Sequence, residues 1–189
     1  MTEKDVLKLF ESHNALLTGH FRLSSGLHSA KYLQCALVLQ YPDIAGRLAS
    51  ALKKKFDDEK INFVIGPALG GITLAYEVAR AAGCRGLFTE RLEGAMALRR
   101  GFSIAKGERA LVVEDVVTTG GSTKEVVKLV QAMGAIVAGV GCVIDRSSGS
   151  VDFGARFESL AKIKVETFEE GSCPMCKRGE PVTKPGSRN

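Results

Sequence analysis

Ala110-Leu111-Val112-Val113-Glu114-Asp115-Val116-Val117-Thr118-Thr119-Gly120-Gly121-Ser122-Thr123 is the stretch on which the reading of this chain turns. Ala110 to Val113 is short, apolar and rich in β-branched residues, which fits a strand buried on both faces of a parallel sheet. Two acids, Glu114 and Asp115, mark its end. Thr118 to Gly121 follow as a glycine-containing loop. Ser122 then stands three residues before Glu125, the spacing at which a hydroxyl and a carboxylate cap a helix start reciprocally. Val126, Val127, Val130 and Met133 repeat at helical spacing, and Gly134 is a fitting stop. The order is strand, loop, helix.

A loop of this kind offers uncommitted backbone N–H groups at the positive end of a helix dipole. Glycine allows close approach, and the hydroxyls of Thr118, Thr119, Ser122 and Thr123 are further donors. A phosphate monoester fits there. The acids repel that phosphate, but two carboxylates accept well from vicinal hydroxyls and help to position a divalent cation. Both ends of a ribose 5-phosphate are thereby provided for. The plainer alternative is a strand end followed by a turn. An acidic pair after an apolar run also occurs in the magnesium-binding strand of P-loop ATPases, but no G-x-x-x-x-G-K-[ST] occurs in the chain.

Working outward, the same alternation recurs. Strands are expected at Phe63 to Ile65, Gly86 to Thr89, Ala110 to Val113 and Val137 to Ile144, with helices near Ile72 to Ala82 and Ser122 to Met133. This βαβ rhythm implies a parallel sheet covered on both faces, with ligands at the carboxyl ends of its strands. Pro42 suits a first helical residue, with Ile44, Ala45, Leu48, Ala49, Leu52 and Phe56 on one face. Thr2 to Ser12 reads as a short helix, and Phe21 to Gln34 as extended segments around a Ser25-Gly26 turn. Lys162 to Thr167 alternates with period two, as an edge strand does, and a polar Gly/Pro tail follows Gly171. The division expected is one domain over residues 1–189: a hood segment at 1–40, an α/β core at 41–168 and a tail at 169–189.

At 189 residues the chain is near the usual one-domain size and long enough for a full core. No apolar stretch is long enough to span a bilayer, and the acidic start MTEKDVLKLF is unlike a secretory signal, so the cytoplasm is the expected location. The net charge of +5 comes with interspersed signs, no Trp and three Tyr, which argues against nucleic acid and agrees with small anionic ligands. Five Cys, an odd number, point to reduced thiols. Cys173-Pro174-Met175-Cys176 has the spacing of half a zinc site. A closed site needs four ligands and no second C-x-x-C is present. Redox pairing, or an ion shared by two subunits, are the alternatives for Cys173 and Cys176. His13, His20 and His28 read as too few and too scattered for a metal site, though His28 could approach a ligand.

Three further stretches complete the pattern. Gly66-Pro67-Ala68-Leu69-Gly70-Gly71 follows a strand and precedes a helix, a second place where amides can converge on an anion. Glu90 to Gly107, with Arg91, Arg99, Arg100 and Lys106, is too long for a simple connection and reads as a mobile lid of cations. Ile144-Asp145-Arg146 ends a core strand, which puts Arg146 at the same crevice, where a guanidinium suits a carboxylate. The plain reading there is an ion pair between Asp145 and a neighbour.

Glu114 to Ser122 resembles the phosphoribosyl pyrophosphate signature of type I phosphoribosyltransferases. With Phe21 to Ser29, Gly66 to Gly71, Ile144 to Arg146 and Lys184 to Arg188, nearly the whole chain resembles the short microbial orotate phosphoribosyltransferases. The resemblance implies a Rossmann-like type I α/β core with a central parallel sheet and a small hood built from the N-terminal segment. It implies transfer of a phosphoribosyl group from phosphoribosyl pyrophosphate to orotate, with Mg²⁺ held mainly by the donor. By the same resemblance Glu114 to Ser122 bind the donor, and Ala68, Leu69, Gly70 and Gly71 form the pyrophosphate loop. Arg91, Arg99 and Arg100 lie on a mobile loop that serves a neighbouring subunit of a homodimer, and Thr118 and Arg146 hold orotate. Asp115, Glu114 and Arg91 are the candidate catalytic groups. Longer relatives carry lysines where this chain has Gly70 and Ser24, so those charges must come from elsewhere or be dispensed with. A purine or uracil phosphoribosyltransferase, or a non-catalytic regulator on the same fold, are the other readings.

Overall fold

The computed structural model describes residues 1–23 and 26–184. Ser24, Ser25 and Pro185 to Arg188, which enter the resemblance, lie outside the described residues.

The chain opens with helix α1 (Glu3–Ser12), then strands β1 (Leu16–Arg22) and β2 (His28–Leu33), a short helix α2 (Ala36–Leu39) and helix α3 (Pro42–Lys54). The main sheet is built from β3 (Phe63–Pro67), β4 (Arg85–Leu92), β5 (Ala95–Leu98), β6 (Arg109–Val117), β7 (Ile136–Asp145) and β8 (Phe157–Lys162), in the order β5-β4-β3-β6-β7-β8. Helix α4 (Gly70–Ala82) follows β3 and helix α5 (Gly121–Ala132) follows β6. Within this sheet all pairings are parallel except β4 with β5.

Alternation along the strands distributes side chains between two cores. Val64, Leu111, Val113 and Val143 pack with α1, α3 and α4 residues such as Phe10, Leu48 and Leu74. Phe63, Ile65, Ala110, Val112, Val140 and Cys142 pack with Val126, Val127 and Val130 of α5. Met133, expected on that apolar face, lies past the helix end and is exposed.

The topology places the functional loops. From β3 the chain moves through α4 to β4 on one side, then returns to β6 on the other side of β3. The loops after β3 and after β6 therefore flank the point where strand order reverses, where open α/β sheets bind ligands.

Three expectations are corrected. The stretch Lys162 to Thr167 keeps its alternation, with Ile163 buried and Lys164 exposed. Its ladder nevertheless ends at Lys162, because the chain there crosses to a second sheet, ordered β1-β2-β9, where β9 is Thr167–Phe168. The polar segment after Gly171 is folded. It forms a 3-10 turn at Glu170–Ser172 and helix α6 (Pro174–Lys177), then runs beside β1, with Arg22 N donating to Thr183 O (2.9 Å) and Thr183 N to His20 O (2.8 Å). A segment without apolar periodicity gave no sign that it would be held by backbone pairing.

The third correction concerns Glu90 to Gly107. Its first half is an antiparallel hairpin, Leu92 opposite Ala95, turned by Glu93 (φ 50°) and Gly94 (φ 87°). Positive φ at both central residues is the type I′ hairpin geometry, so Glu-Gly between two short β-forming runs was the available signal. Only the stretch from Arg99 to Glu108 remains a connection.

Candidate active site

Strand β6 runs beyond Val113, its ladder with β7 continuing through Glu114 opposite Cys142 to Val117 opposite Asp145. The acidic pair therefore sits on rigid sheet. Glu114 is 9% exposed, and burial first, then the charge of Asp115, push its carboxyl well above the ordinary carboxylate range. Burial also raises Asp115, offset in part by the Val116 amide, which donates to Asp115 Oδ1 (2.8 Å), and by hydrogen bonding with Glu114. The hydrogen bond between the two raises Glu114 and lowers Asp115, so of the pair Asp115 ionises the more readily.

The sign of the linkage follows. A carboxyl whose folded pKa is raised above 4.5 contributes nothing adverse below that value, and costs stability progressively as pH rises through the folded pKa. Glu114→Gln is therefore expected to raise the melting temperature of the unliganded protein by about 2–4 °C near neutral pH, as about 1 kcal/mol does in a domain of this size. The gain should vanish in acid. Melting curves across pH test this, and equal stability of the two proteins at neutral pH would refute it.

Beyond β6, Gly120 is left-handed (φ 71°) and caps α5. The first helical bond is Lys124 N to Gly120 O (2.8 Å), so the amides of Gly121, Ser122 and Thr123 have no helical acceptor and lie at the positive end of the dipole. Thr118 and Thr119 are exposed at the same mouth. A Cβ on Gly120 would lie 2.8 Å from Val151 and 3.1 Å from Phe153. Gly120→Ala thus meets both a disfavoured left-handed dihedral and a clash, and is expected to cost about 1–3 kcal/mol, read as a fall in denaturation midpoint.

The expected capping pair of Ser122 with Glu125 does not form. Glu125 instead accepts from Arg91 Nη2 (2.9 Å) and Nη1 (3.1 Å) and from Met96 N (3.2 Å). It latches the β4–β5 hairpin to α5, a bidentate pairing that outcompetes a single backbone contact. Arg91, expected on a loop, is on β4. Arg100 is likewise paired, its Nε and Nη2 donating to Glu90 (2.8 and 2.7 Å), while Arg99 is exposed.

The loop after β3 faces the acidic pair. A Cβ placed on Gly70 would fall 2.7 Å from Asp115 Oδ2, so the Asp115 carboxylate occupies the space that any side chain at 70 would need. A lysine, which the resemblance puts at this position in longer relatives, would need that same space. Leu69 is 78% exposed beside it.

Arg146 follows β7, its amide donating to Val117 O (2.8 Å), which ties the ends of β6 and β7 together. Among the described residues, Asp145 makes no ion pair. Asp145 is buried and accepts from Ser147 N (2.8 Å). Arg146 Nε is buried without a hydrogen-bond partner, and burial pulls its guanidinium pKa down. An unpaired buried guanidinium edge is costly, and an anionic ligand relieves that cost. Tyr32 on β2 and buried Cys35 sit within the electrostatic reach of both Arg146 and Asp115. Neither residue was singled out by sequence, since nothing local marks a tyrosine in a small sheet as lining a site more than 80 residues away.

Residues 38–171 match the profile of the phosphoribosyl transferase domain. The chain is 55% identical over 188 residues to the orotate phosphoribosyltransferase of Caldanaerobacter subterraneus subsp. tengcongensis, covering 100% of this chain and 99% of the relative. The chain belongs to the orotate phosphoribosyltransferases of the phosphoribosyltransferase family. The orotate phosphoribosyltransferase of Carboxydothermus hydrogenoformans is 56% identical, with 97% of each chain covered. Among solved structures, the orotate phosphoribosyltransferase of Aeropyrum pernix matches with a TM-score of 0.72 at 26% identity, covering 84% of this chain and 94% of that one. The fold alone is shared with the adenine phosphoribosyltransferase of Thermoanaerobacter pseudethanolicus (TM-score 0.62, 19% identity, 70% of this chain and 88% of that one). The α/β architecture with a mostly parallel central sheet is thus that of the family, and the enzyme is a transferase. Among the described residues, no helix is long and apolar enough to cross a membrane.

Proposed function

We propose that the enzyme transfers the 5-phosphoribosyl group of phosphoribosyl pyrophosphate to a ring nitrogen of orotate, giving orotidine 5'-phosphate and pyrophosphate in pyrimidine biosynthesis. The observation that carries the base assignment is the buried Arg146 Nε, which has no hydrogen-bond partner among the described residues, just past the β7 end that is tied to β6. Orotate has a carboxylate for it, whereas adenine and uracil do not.

The bond from the anomeric carbon to the diphosphate breaks and the bond to nitrogen forms with inversion, so positive charge grows on the sugar as negative charge grows on the leaving group. Little proton chemistry is required. The amides of residues 118–122 seat the 5-phosphate, and Glu114 and Asp115 accept from the ribose hydroxyls, with the Asp115 charge nearest in kind to the growing cation. The loop Ala68-Leu69-Gly70-Gly71 lies on the diphosphate side. Arg91, Arg99 and Arg100 are proposed to meet the leaving group, Arg91 and Arg100 by exchanging Glu125 and Glu90 for phosphate oxygens.

Magnesium fits this site, because Glu114, which is buried, and Asp115, which is partly buried, are adjacent carboxylates, and paired carboxylate oxygens favour a hard cation. Held mainly by the donor's diphosphate, with Asp115 the candidate protein ligand, it would neutralise leaving-group charge. A cytoplasmic homodimer with the 99–108 connection reaching the neighbouring subunit is part of the same proposal.

A base screen with phosphoribosyl pyrophosphate and magnesium, read as pyrophosphate release, tests the assignment. Release with orotate and not with adenine, guanine, hypoxanthine or uracil is expected. Turnover with one of the other bases, or donor binding without turnover, would overturn it in favour of another transferase or a regulator.

A further inference from the structure

Two histidines of the small sheet and two cysteines of the C-terminal segment meet at one buried point. His20 lies on β1 and His28 on β2, close across their antiparallel pairing, while Cys173 and Cys176 flank the first turn of α6. One ligand atom from each falls within 4.8 Å of all the others. His20 Nε2 is 2.8 Å from His28 Nδ1 and 3.6 Å from each of the two sulfurs, and Cys176 Sγ is 3.2 Å from His28 Nδ1. A tetrahedral zinc ion with bonds of about 2.0–2.3 Å separates its ligand atoms by about 3.3–3.8 Å, within the spread found here. The reading of the histidines as scattered is thereby corrected. His20 and Cys173 are 153 positions apart in sequence, and only folding brings them together.

The protonation pattern points the same way. His20 Nδ1 is 2.8 Å from Glu180 O, and a carbonyl only accepts, so the proton sits on Nδ1 and Nε2 turns a lone pair to the cluster. This is the outer hydrogen bond that orients a metal-bound imidazole. Burial adds a requirement for neutrality: His20, His28 and Cys173 are 5%, 2% and 0% exposed. Two thiolates and two neutral imidazoles around a divalent ion carry no net charge.

We propose that His20, His28, Cys173 and Cys176 form a closed structural zinc site that clamps the C-terminal segment onto the small sheet. Nitrogen and thiolate donors in a four-fold set select zinc over magnesium or calcium. The clamp reinforces the backbone bonds between Thr183 and β1. It also bears on catalysis indirectly, because Phe21, next to His20, packs at a tilt against Tyr32 (ring centroids 5.8 Å), which lies within the electrostatic reach of Arg146.

The test is metal analysis of the untagged full chain, purified without chelators. About one zinc per chain is expected, with Cys173→Ser and His28→Ala each lowering it at least about tenfold and Cys84→Ser leaving it unchanged. Should those variants fail to fold, the intact protein still decides. Zinc released by a mercurial should be replaceable by cobalt(II), with the visible absorption of a tetrahedral thiolate complex, and the zinc-free protein should melt several degrees lower. Protein with substoichiometric zinc that takes up no cobalt, a Cys173–Cys176 disulfide in the freshly isolated chain, or zinc retained by Cys173→Ser would each overturn the proposal.

Discussion

Asp115→Asn is expected to lower turnover by about two to three orders of magnitude, the scale seen when one preorganised electrostatic contact to a transition state is lost. The substitution keeps the shape of the side chain and its acceptor for the Val116 amide (2.8 Å), so the loop geometry survives. What disappears is negative charge. The hydrogen bond between the acids raises Glu114 and lowers Asp115, so Asp115 is the more readily ionised of the pair. Positive charge developing on the ribose therefore loses its facing anion, while ground-state contacts to the hydroxyls are largely kept. The kinetic signature is a fall in kcat with a much smaller change in donor affinity. Burial opposes ionisation of Asp115, so removing the charge leaves thermal stability equal or higher. Unchanged kcat, or a loss of activity that tracks a loss of folded protein, would refute the role given to Asp115.

Contiguity explains what could be read in advance. Glu114 to Ser122 is one stretch in which strand, acids, loop and helix start follow each other, so their order was visible without the fold. Arg146 was visible because strand β7 could be counted to its end. Glu125 was misassigned because Ser122 and Glu125 satisfy the local capping rule. The competing partner, Arg91, is 34 positions away and arrives only through the β4–β5 hairpin. That hairpin had its own signal in Glu93-Gly94, obscured by the cations on either side, which suggested a solvated loop. The histidine and cysteine cluster is the extreme case. Its two halves are separated by the entire core, and they meet because β1, β2 and β9 form one small sheet and Thr183 runs back along β1. No spacing rule spans that distance.

Arg146→Ala should raise the orotate KM about a hundredfold, close to 2.7 kcal/mol, and leave the donor KM nearly unchanged. The guanidinium has a buried Nε with no hydrogen-bond partner among the described residues, so removing it leaves no such bond at Nε broken and should not lower the melting temperature. A structural arginine would behave in the opposite way. Arg146→Lys restores charge without the planar fork, and should recover only part of the affinity. The decisive comparison uses uracil, which has the same ring without the carboxylate. If Arg146 reads that group, the parent enzyme discriminates strongly between orotate and uracil, and the alanine variant loses most of that discrimination because its affinity for orotate falls toward that for uracil. Steady-state kinetics with each substrate varied in turn supply all four rate ratios. Equal losses for orotate and donor, or undiminished discrimination in the variant, would place carboxylate recognition elsewhere in the crevice.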